Sequence, residues 1–123
     1  MPMTRLTEQE RADRKVTGAE LQRMVMELGG MLGYASVHFR AAQTGRGWRV
    51  PVEGPLGKGW PDLVLVNPMR RRTIAAEIKR EVDDQLTLDQ EYVHSVLRGA
   101  GWTVVVWRPS DLTEGRIQNE LQR

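Results

Sequence analysis

Apolar side chains recur along this chain with two periods, one typical of helices and one typical of strands. A stripe at i, i+3, i+4 and i+7 spacing follows a Thr-x-x-Glu cap and predicts an amphipathic helix over 17–32. A second cap, of the Thr-x-x-Gln type, precedes a similar helix that ends at Gly99. A last short helix is expected after Pro109, because proline ends the strand before it.

Four β-strands are expected between these helices. Runs of alternating or β-branched residues predict strands over 34–42, 60–67, 72–79 and 102–107, with a turn at 68–71 that makes the middle two a hairpin. Two of these runs are continuously apolar, which predicts a sheet covered by helices on both faces. The predicted order is α-β-β-β-α-β-α, and the fold class is α/β.

The length of 123 residues fits a single domain. Residues 1–15 are polar and predict a flexible N-terminal arm, frayed or weakly helical, which leaves 16–123 as the domain. Residues 43–59 contain five glycines and two prolines between the first two strands. Because connections of this length are usually binding loops or disordered, we expect either a flap that faces a ligand or a disordered segment there.

Composition narrows the possible chemistry. The chain has no cysteine, which excludes disulfides, thiolate zinc sites, Fe–S clusters and cysteine nucleophiles, and two histidines argue against a histidine-rich metal site. The 18 basic residues are mostly arginine, which suits forked contacts with phosphate, although a GC-rich genome also explains an arginine excess. No apolar run suggests a membrane helix or a signal peptide, so we expect a cytoplasmic protein of a bacterial or phage-infected cell.

The candidate chemistry lies on the predicted hairpin. A turn centred between Met69 and Arg70 places Asp62 opposite Glu77, and directly opposed Cβ atoms in a sheet are only ~4.5–5.5 Å apart. Two carboxylates at that distance repel each other unless a cation lies between them. Side chains alternate along a strand, so Lys79 shares the face of Glu77. Three ionisable groups therefore converge on an otherwise apolar patch.

This arrangement suits metal-assisted hydrolysis of a phosphodiester. Mg²⁺ prefers oxygen ligands, and the candidates are Asp62, Glu77 and the backbone carbonyl of Ile78. A metal held there lowers the pKa of a bound water, while Lys79 orients that water or neutralises developing charge. The alternative is an ordinary exposed ion pair of Glu77 with Lys79 on an edge strand.

Several segments, in this order, resemble the virus-type replication-repair nuclease (VRR-NUC) domain of the PD-(D/E)XK superfamily. They are Gly-Trp-Pro-Asp-Leu-Val-Leu-Val at 59–66, Ala-Ala-Glu-Ile-Lys at 75–79, Leu-Thr-Leu-Asp-Gln at 86–90, and Ala-Gly-Trp-Thr-Val-Val-Val-Trp-Arg-Pro at 100–109. The resemblance runs from about residue 17 to 121. It implies a restriction-endonuclease-like core with a mixed central sheet flanked by helices, Asp62 and Glu77 as Mg²⁺ or Mn²⁺ ligands, and Lys79 as the catalytic lysine.

The same resemblance implies further site residues, each with a structural alternative. Glu20 falls where the family places a helix glutamate that reaches the metal, and Gln90 matches a glutamine beside the active site. Both also stand at the third position of a capping box, which is the alternative role. His38 lies where the family often has a histidine that approaches a phosphate, and its alternative is a packed or surface residue.

Basic and aromatic residues in and near 43–59 are candidates for nucleic-acid contacts, because such loops stack on bases and bind phosphates. The full candidate set is His38, Arg40, Arg46, Trp48, Arg49 and Lys58. A surface for a protein partner is the alternative use of this insertion. The acidic segment 80–85 departs from the glycine-containing link that the resemblance leads us to expect. The arginines at 70–72 are expected in a solvated turn or as a peripheral phosphate contact, outside the site.

The resemblance implies a metal-dependent DNA endonuclease. We expect selectivity for branched, flapped or Holliday-junction DNA in recombination, replication or repair, in a phage or a bacterium, and a homodimer that addresses two strands. Two alternatives stay open at this point. One is a nucleic-acid-binding module that keeps the fold without cutting, and the other is a protein-interaction subunit.

Overall fold

The computed structural model describes residues 5–39, 42–44, 47–49 and 52–123, and it describes 42–44 and 47–49 by their backbone alone. The elements of these residues, in chain order, are α1 (Glu8–Lys15), α2 (Gly18–Met31), β1 (Ala35–His38), β2 (Ala42–Thr44), β3 (Gly47–Arg49), a 3₁₀ turn (Gly57–Gly59), β4 (Leu63–Asn67), β5 (Arg72–Ile78), α3 (Leu88–Gly99), β6 (Thr103–Trp107), α4 (Pro109–Thr113) and α5 (Arg116–Leu121). No helix in this described part of the chain is long and apolar enough to cross a membrane.

A mixed four-stranded sheet with the order β1-β4-β5-β6 is the centre of the fold. β4 runs antiparallel to both β1 and β5, whereas β5 and β6 are parallel. Helix α3 joins the parallel pair, since parallel strands need a long crossover between them. The predicted α/β class with a mixed, helix-flanked sheet is confirmed.

The register of the β4–β5 hairpin is the one that the sequence predicts. Leu63 pairs with Ala76, and Val64 pairs with Ala75. One further step along this register places Asp62 opposite Glu77. The predicted turn therefore fixes which side chains meet at the far end of the hairpin.

Both faces of the sheet are covered, by different helices. Leu21 and Val25 of α2 and Ile117 of α5 pack with Leu63 and Ile74 in the larger core. On the other face, two side chains of α3 pack against one residue each of β5 and β6. That smaller cluster consists of Val93, Leu97, Ala75 and Val104. Because side chains alternate, Glu77 lies on the α3 face with Ala75.

The N-terminal segment, predicted as a frayed or weakly helical arm, contains a helix. Residues 8–15 form α1, which begins with a capping box between Thr7 and Glu10. Asp13 is only 5% exposed and accepts hydrogen bonds from Gln9 and from the Thr113 hydroxyl of α4. Polar contacts hold this helix, and a pattern of apolar residues does not reveal them.

Three further segments differ in detail from their predictions. The first strand is described only over Ala35–His38, and the short antiparallel pair of β2 with β3 was not expected within 43–59. The last helix is divided at Gly115, whose φ of +81° is the left-handed conformation that glycine adopts readily. Arg70 and Arg72 do not simply face solvent, since each donates to a backbone carbonyl of the C-terminal segment.

Candidate active site

Asp62 and Glu77 meet at the end of the hairpin remote from its turn. Asp62 directly precedes β4, and its Oδ2 accepts a hydrogen bond of 2.8 Å from the N–H of Ile78. Glu77 is only 1% exposed. The two carboxyl groups thus lie side by side at the end of a β-ladder.

The proline before Asp62 explains this local arrangement. The N–H of Phe39 donates to the Asp62 carbonyl at 2.9 Å, so the backbone polar groups of Asp62 point toward β1. Successive residues of a strand point these groups to opposite sides, so the backbone polar groups of Pro61 point toward β5. The ladder register puts Pro61 opposite Ile78, but proline has no N–H to offer the Ile78 carbonyl. The Ile78 carbonyl therefore receives no ladder hydrogen bond from Pro61, which is compatible with its predicted role as a metal ligand.

Glu77 has the most perturbed environment in the site. Burial, followed by the adjacent Asp62 carboxyl, raises the pKa of Glu77 to about 9, although the Lys79 ammonium acts in the opposite direction. Its Oε2 is buried and has no hydrogen-bond partner among the described residues. A cation supplies both the missing partner and the missing charge compensation. Two carboxylates and a backbone carbonyl are an all-oxygen set, which fits Mg²⁺ or Mn²⁺.

Lys79 lies beside this carboxyl pair and is itself buried. Its backbone N–H donates to the Trp107 carbonyl at 3.0 Å, and its Nζ is 3.4 Å from Oδ1 of Asp84. Burial raises the pKa of Asp84, but the Arg80 N–H and the Lys79 ammonium lower it more, so the net shift is downward. Asp84 belongs to the acidic segment 80–85, and its contact with Lys79 was not foreseen.

The alternative of an exposed ion pair on an edge strand is wrong for Glu77 and Lys79. β5 lies between β4 and β6 in the sheet, so it is not an edge strand. Glu77 is 1% and Lys79 is 7% exposed. Ionisable groups are rarely buried to this extent without a partner or a function.

His94 of α3 also reaches Glu77, and the sequence interpretation missed it. Its Nε2 lies 3.1 Å from Oε1 of Glu77, and both side chains are 1% exposed. The available signal was a polar residue in the apolar helix face between Val93 and Leu97. A count of the histidines does not register such a position.

Glu20 and His38 lie on the other side of the sheet. His38 pairs with Leu63, whose side chain belongs to the core under α2, so the sheet separates His38 from Glu77. Glu20 and His38 line one cavity of about 640 Å³, whose lining includes neither Asp62 nor Glu77. Glu20 itself takes the capping role, because it exchanges hydrogen bonds with the Thr17 hydroxyl.

Gln90 and Lys58 are likewise engaged in local contacts. Gln90 completes a capping box with Thr87, in which each backbone N–H donates to the other side chain. Lys58 forms an exposed ion pair with Asp89, with 3.5 Å between Nζ and Oδ2. Their predicted roles near substrate stay predictions.

The structure does not describe the side chains of four of the nucleic-acid candidates. Arg40 and Arg46 lie outside the described residues, and Trp48 and Arg49 are described only by their backbone in β3. Within the described ranges, no three His, Asp or Glu side chains form a group that holds a metal, so Glu20 does not join Asp62 and Glu77 in a three-residue cluster here. The predicted ligand role of Glu20 stays a prediction.

Comparison with solved structures identifies one described as "VRR_NUC domain". It superposes on this chain with a TM-score of 0.57 at 22% sequence identity, and the match covers 81% of this chain and 95% of that chain. No family model matches the sequence, and no curated protein matches it. The comparison shows a shared fold, so the fold that the resemblance implied is confirmed.

Proposed function

We propose that this chain, with the fold of a VRR_NUC domain, is a metal-dependent nuclease that hydrolyses DNA phosphodiester bonds. The observation that carries the proposal is the pairing of the half-buried Asp62 with the buried Glu77, whose Oε2 has no hydrogen-bond partner among the described residues, with the buried Lys79 directly after β5. Two adjacent carboxyl groups in an apolar setting are unfavourable by themselves. Binding a divalent cation removes that cost.

Each residue of the site has a distinct task in this function. Asp62, Glu77 and the Ile78 carbonyl hold the metal, which when bound supplies a more acidic water and stabilises negative charge on the phosphate. Lys79 donates from Nζ to a phosphate oxygen or to the attacking water. Asp84 holds that ammonium near the carboxyl pair until substrate arrives.

The substrate and assembly form the finer part of the proposal. We extend it to branched, flapped or junction DNA, to action in the cytoplasm of a bacterial or phage-infected cell, and to a homodimer. An exposed apolar stripe on α3 supports a second copy as partner: Leu88 is 84%, Tyr92 61% and Val96 38% exposed. Sedimentation equilibrium should give a dimer at micromolar concentration, and a monomer there contradicts it.

Cleavage of a panel of labelled DNAs tests the activity. Linear duplex, single strand, 5′ flap and four-way junction are incubated with Mg²⁺, with Mn²⁺ and with chelator. Lys79→Ala is expected to lower the cleavage rate by roughly 10²–10⁴-fold, the range for loss of one proton-transfer or charge-stabilising group. Lys15→Ala is the matched control, since it removes an exposed lysine from α1, a helix that contributes no residue to the carboxyl site.

The outcomes separate the three functions considered. Cleavage that needs metal and disappears in Lys79→Ala supports the nuclease and identifies its preferred substrate. Tight binding of DNA by both proteins, without cleavage under any metal condition, indicates the binding module instead. Absence of both binding and cleavage indicates the protein-interaction subunit.

A further inference from the structure

His94 is a buried polar side chain that the proposed mechanism does not yet use. It projects from α3 into the space between that helix and β5, and it is 1% exposed. Its neighbours along the helix face, Val93 and Leu97, are apolar and pack on the sheet. An apolar residue is the usual occupant of such a position, so the histidine needs a reason.

The described contacts of the imidazole point to Glu77. Nε2 lies 3.1 Å from Oε1 of Glu77, whereas Nδ1 is buried without a hydrogen-bond partner among the described residues. An ionised carboxylate only accepts hydrogen bonds, so a ring nitrogen that faces it must carry a hydrogen. The proton therefore resides on Nε2 whenever Glu77 is ionised.

The two oxygens of Glu77 then have different surroundings. Oε1 faces His94, while Oε2 is buried and has no partner among the described residues. A carboxylate with one oxygen fixed has less rotational freedom at its last torsion, which is otherwise broad. The free oxygen is thereby held in one direction.

We propose that His94 is a positioning residue for the metal centre, donating from Nε2 to Oε1 of Glu77 and leaving Oε2 to the cation. This inference rests on the proposed function, because it assigns a role toward the metal that Asp62 and Glu77 hold. Residues that orient metal ligands through hydrogen bonds typically change metal affinity by about 10–100-fold when they are removed.

Mn²⁺ binding without DNA tests this role directly. Electron paramagnetic resonance counts free Mn²⁺ in titrations of wild type, His94→Leu and His94→Gln. Leucine keeps an apolar side chain on α3 without a donor, whereas the glutamine amide restores an N–H near the position of Nε2. We expect affinity to fall about 10–100-fold in His94→Leu and to recover most of that loss in His94→Gln.

Leu97→Val is the matched control for a purely structural effect. It lies one turn further along the same buried face of α3, so it is expected to lower stability and leave Mn²⁺ affinity unchanged. Equal loss of affinity in His94→Leu, His94→Gln and Leu97→Val overturns the inference, because packing then explains the result. Unchanged affinity in His94→Leu overturns it as well.

The wild-type protein supplies a test that does not depend on folding of a variant. Nitrogen NMR of the histidines in saturating Mg²⁺ should show a proton on Nε2 of His94, and a ring protonated on Nδ1 alone overturns the inference. Failure of wild type to bind Mn²⁺ at all overturns the proposed metal centre and this role together. If wild type binds Mn²⁺ and His94→Leu binds it with the same affinity, this role alone is overturned.

Discussion

At the scale of the residue, the site is organised around the cost of burying Glu77. The carboxyl lies under α3, where its neighbours on the sheet are apolar, and the adjacent Asp62 adds a second acid. A protonated carboxyl relieves that cost in the metal-free protein, and a cation relieves it when bound. Stability and metal binding are therefore linked through this one group.

The free energy of unfolding of the metal-free protein should fall as pH rises. The pKa of Glu77 is about 9 in the folded state against an ordinary value of 4.5, so the folded state holds one more proton between these values. Stability is consequently lost from about pH 4.5 upward, with a slope that approaches about 1.4 kcal/mol per pH unit for one proton. Glu77→Gln should not show this loss of stability with rising pH.

Chemical denaturation in chelator at pH 5, 7 and 9 measures this dependence. Wild type should lose stability relative to Glu77→Gln as pH rises, because the variant has no ionisable group at that position. Parallel pH profiles for the two proteins would contradict the raised pKa of Glu77.

Asp84 provides a second prediction at this scale. It neutralises Lys79 across 3.4 Å, so Asp84→Asn should expose more positive charge to a phosphate. Two charges about 4 Å apart interact by roughly 1 kcal/mol in water. A change of that size in the binding free energy makes DNA binding roughly fivefold tighter. Asp83→Asn is the control, since it removes an equal charge and asparagine tolerates the φ of +59° at that position. Fluorescence anisotropy in chelator measures both, and equal effects would refute a specific role for Asp84.

At the scale of the element, the 3₁₀ turn and the start of α3 fix the position of the segment that carries Asp62. Gly59 is buried against the first turn of α3, where an added Cβ would lie 2.2 Å from the carbonyl oxygen of Asp89. The approach is backbone to backbone, so no side chain can move aside. This contact places residues 60–62 at the end of the hairpin.

Gly59→Ala should therefore destabilise the fold by about 1–3 kcal/mol, the usual cost of forcing extra atoms into a packed site. Gly30→Ala is the matched control, because an added Cβ there meets nothing within 4 Å and alanine favours a helix by about 0.5–1 kcal/mol. Urea unfolding monitored by circular dichroism measures both changes. A neutral Gly59→Ala would show that the turn is free to shift.

At the scale of the whole molecule, charge decides how the protein meets DNA. Eighteen basic residues against sixteen acidic ones leave a net charge of only +2, so attraction to a polyanion depends on local arrangement more than on total charge. Several arginines are also committed to structure, since Arg72 pairs with Glu120 and Arg116 with Asp111. The basic residues outside such ion pairs determine where the protein attracts DNA.

DNA affinity should fall with rising salt concentration if phosphates are contacted. Each phosphate contact contributes about 0.9 to the slope of log K against log salt, through release of counterions. Titrations at several salt concentrations in chelator measure that slope, and Arg49→Ala should reduce it if this arginine binds a phosphate. A slope near zero would favour the protein-interaction subunit.

Much of the architecture was predictable because it is encoded locally. The caps at Thr17 and Thr87 and the turn at 68–71 each depend on contacts within a few residues. Strand alternation and that turn then fix the register that opposes Asp62 and Glu77. The contact of α1 with α4 and the pairing of β2 with β3 escaped prediction, because the first depends on polar groups distant in sequence and β2 and β3 are only three residues each.

The sequence by itself determined the fold class, the hairpin register and the three ionisable groups at its end, because period, capping and alternation act over short distances along the chain. Only the tertiary structure decided what surrounds those groups. It brought His94 to Glu77 across 17 positions, brought Asp84 to Lys79, and put Glu20 and His38 on the opposite face of the sheet. Contacts between elements depend on how helices pack on a sheet, and no spacing within one segment records that packing.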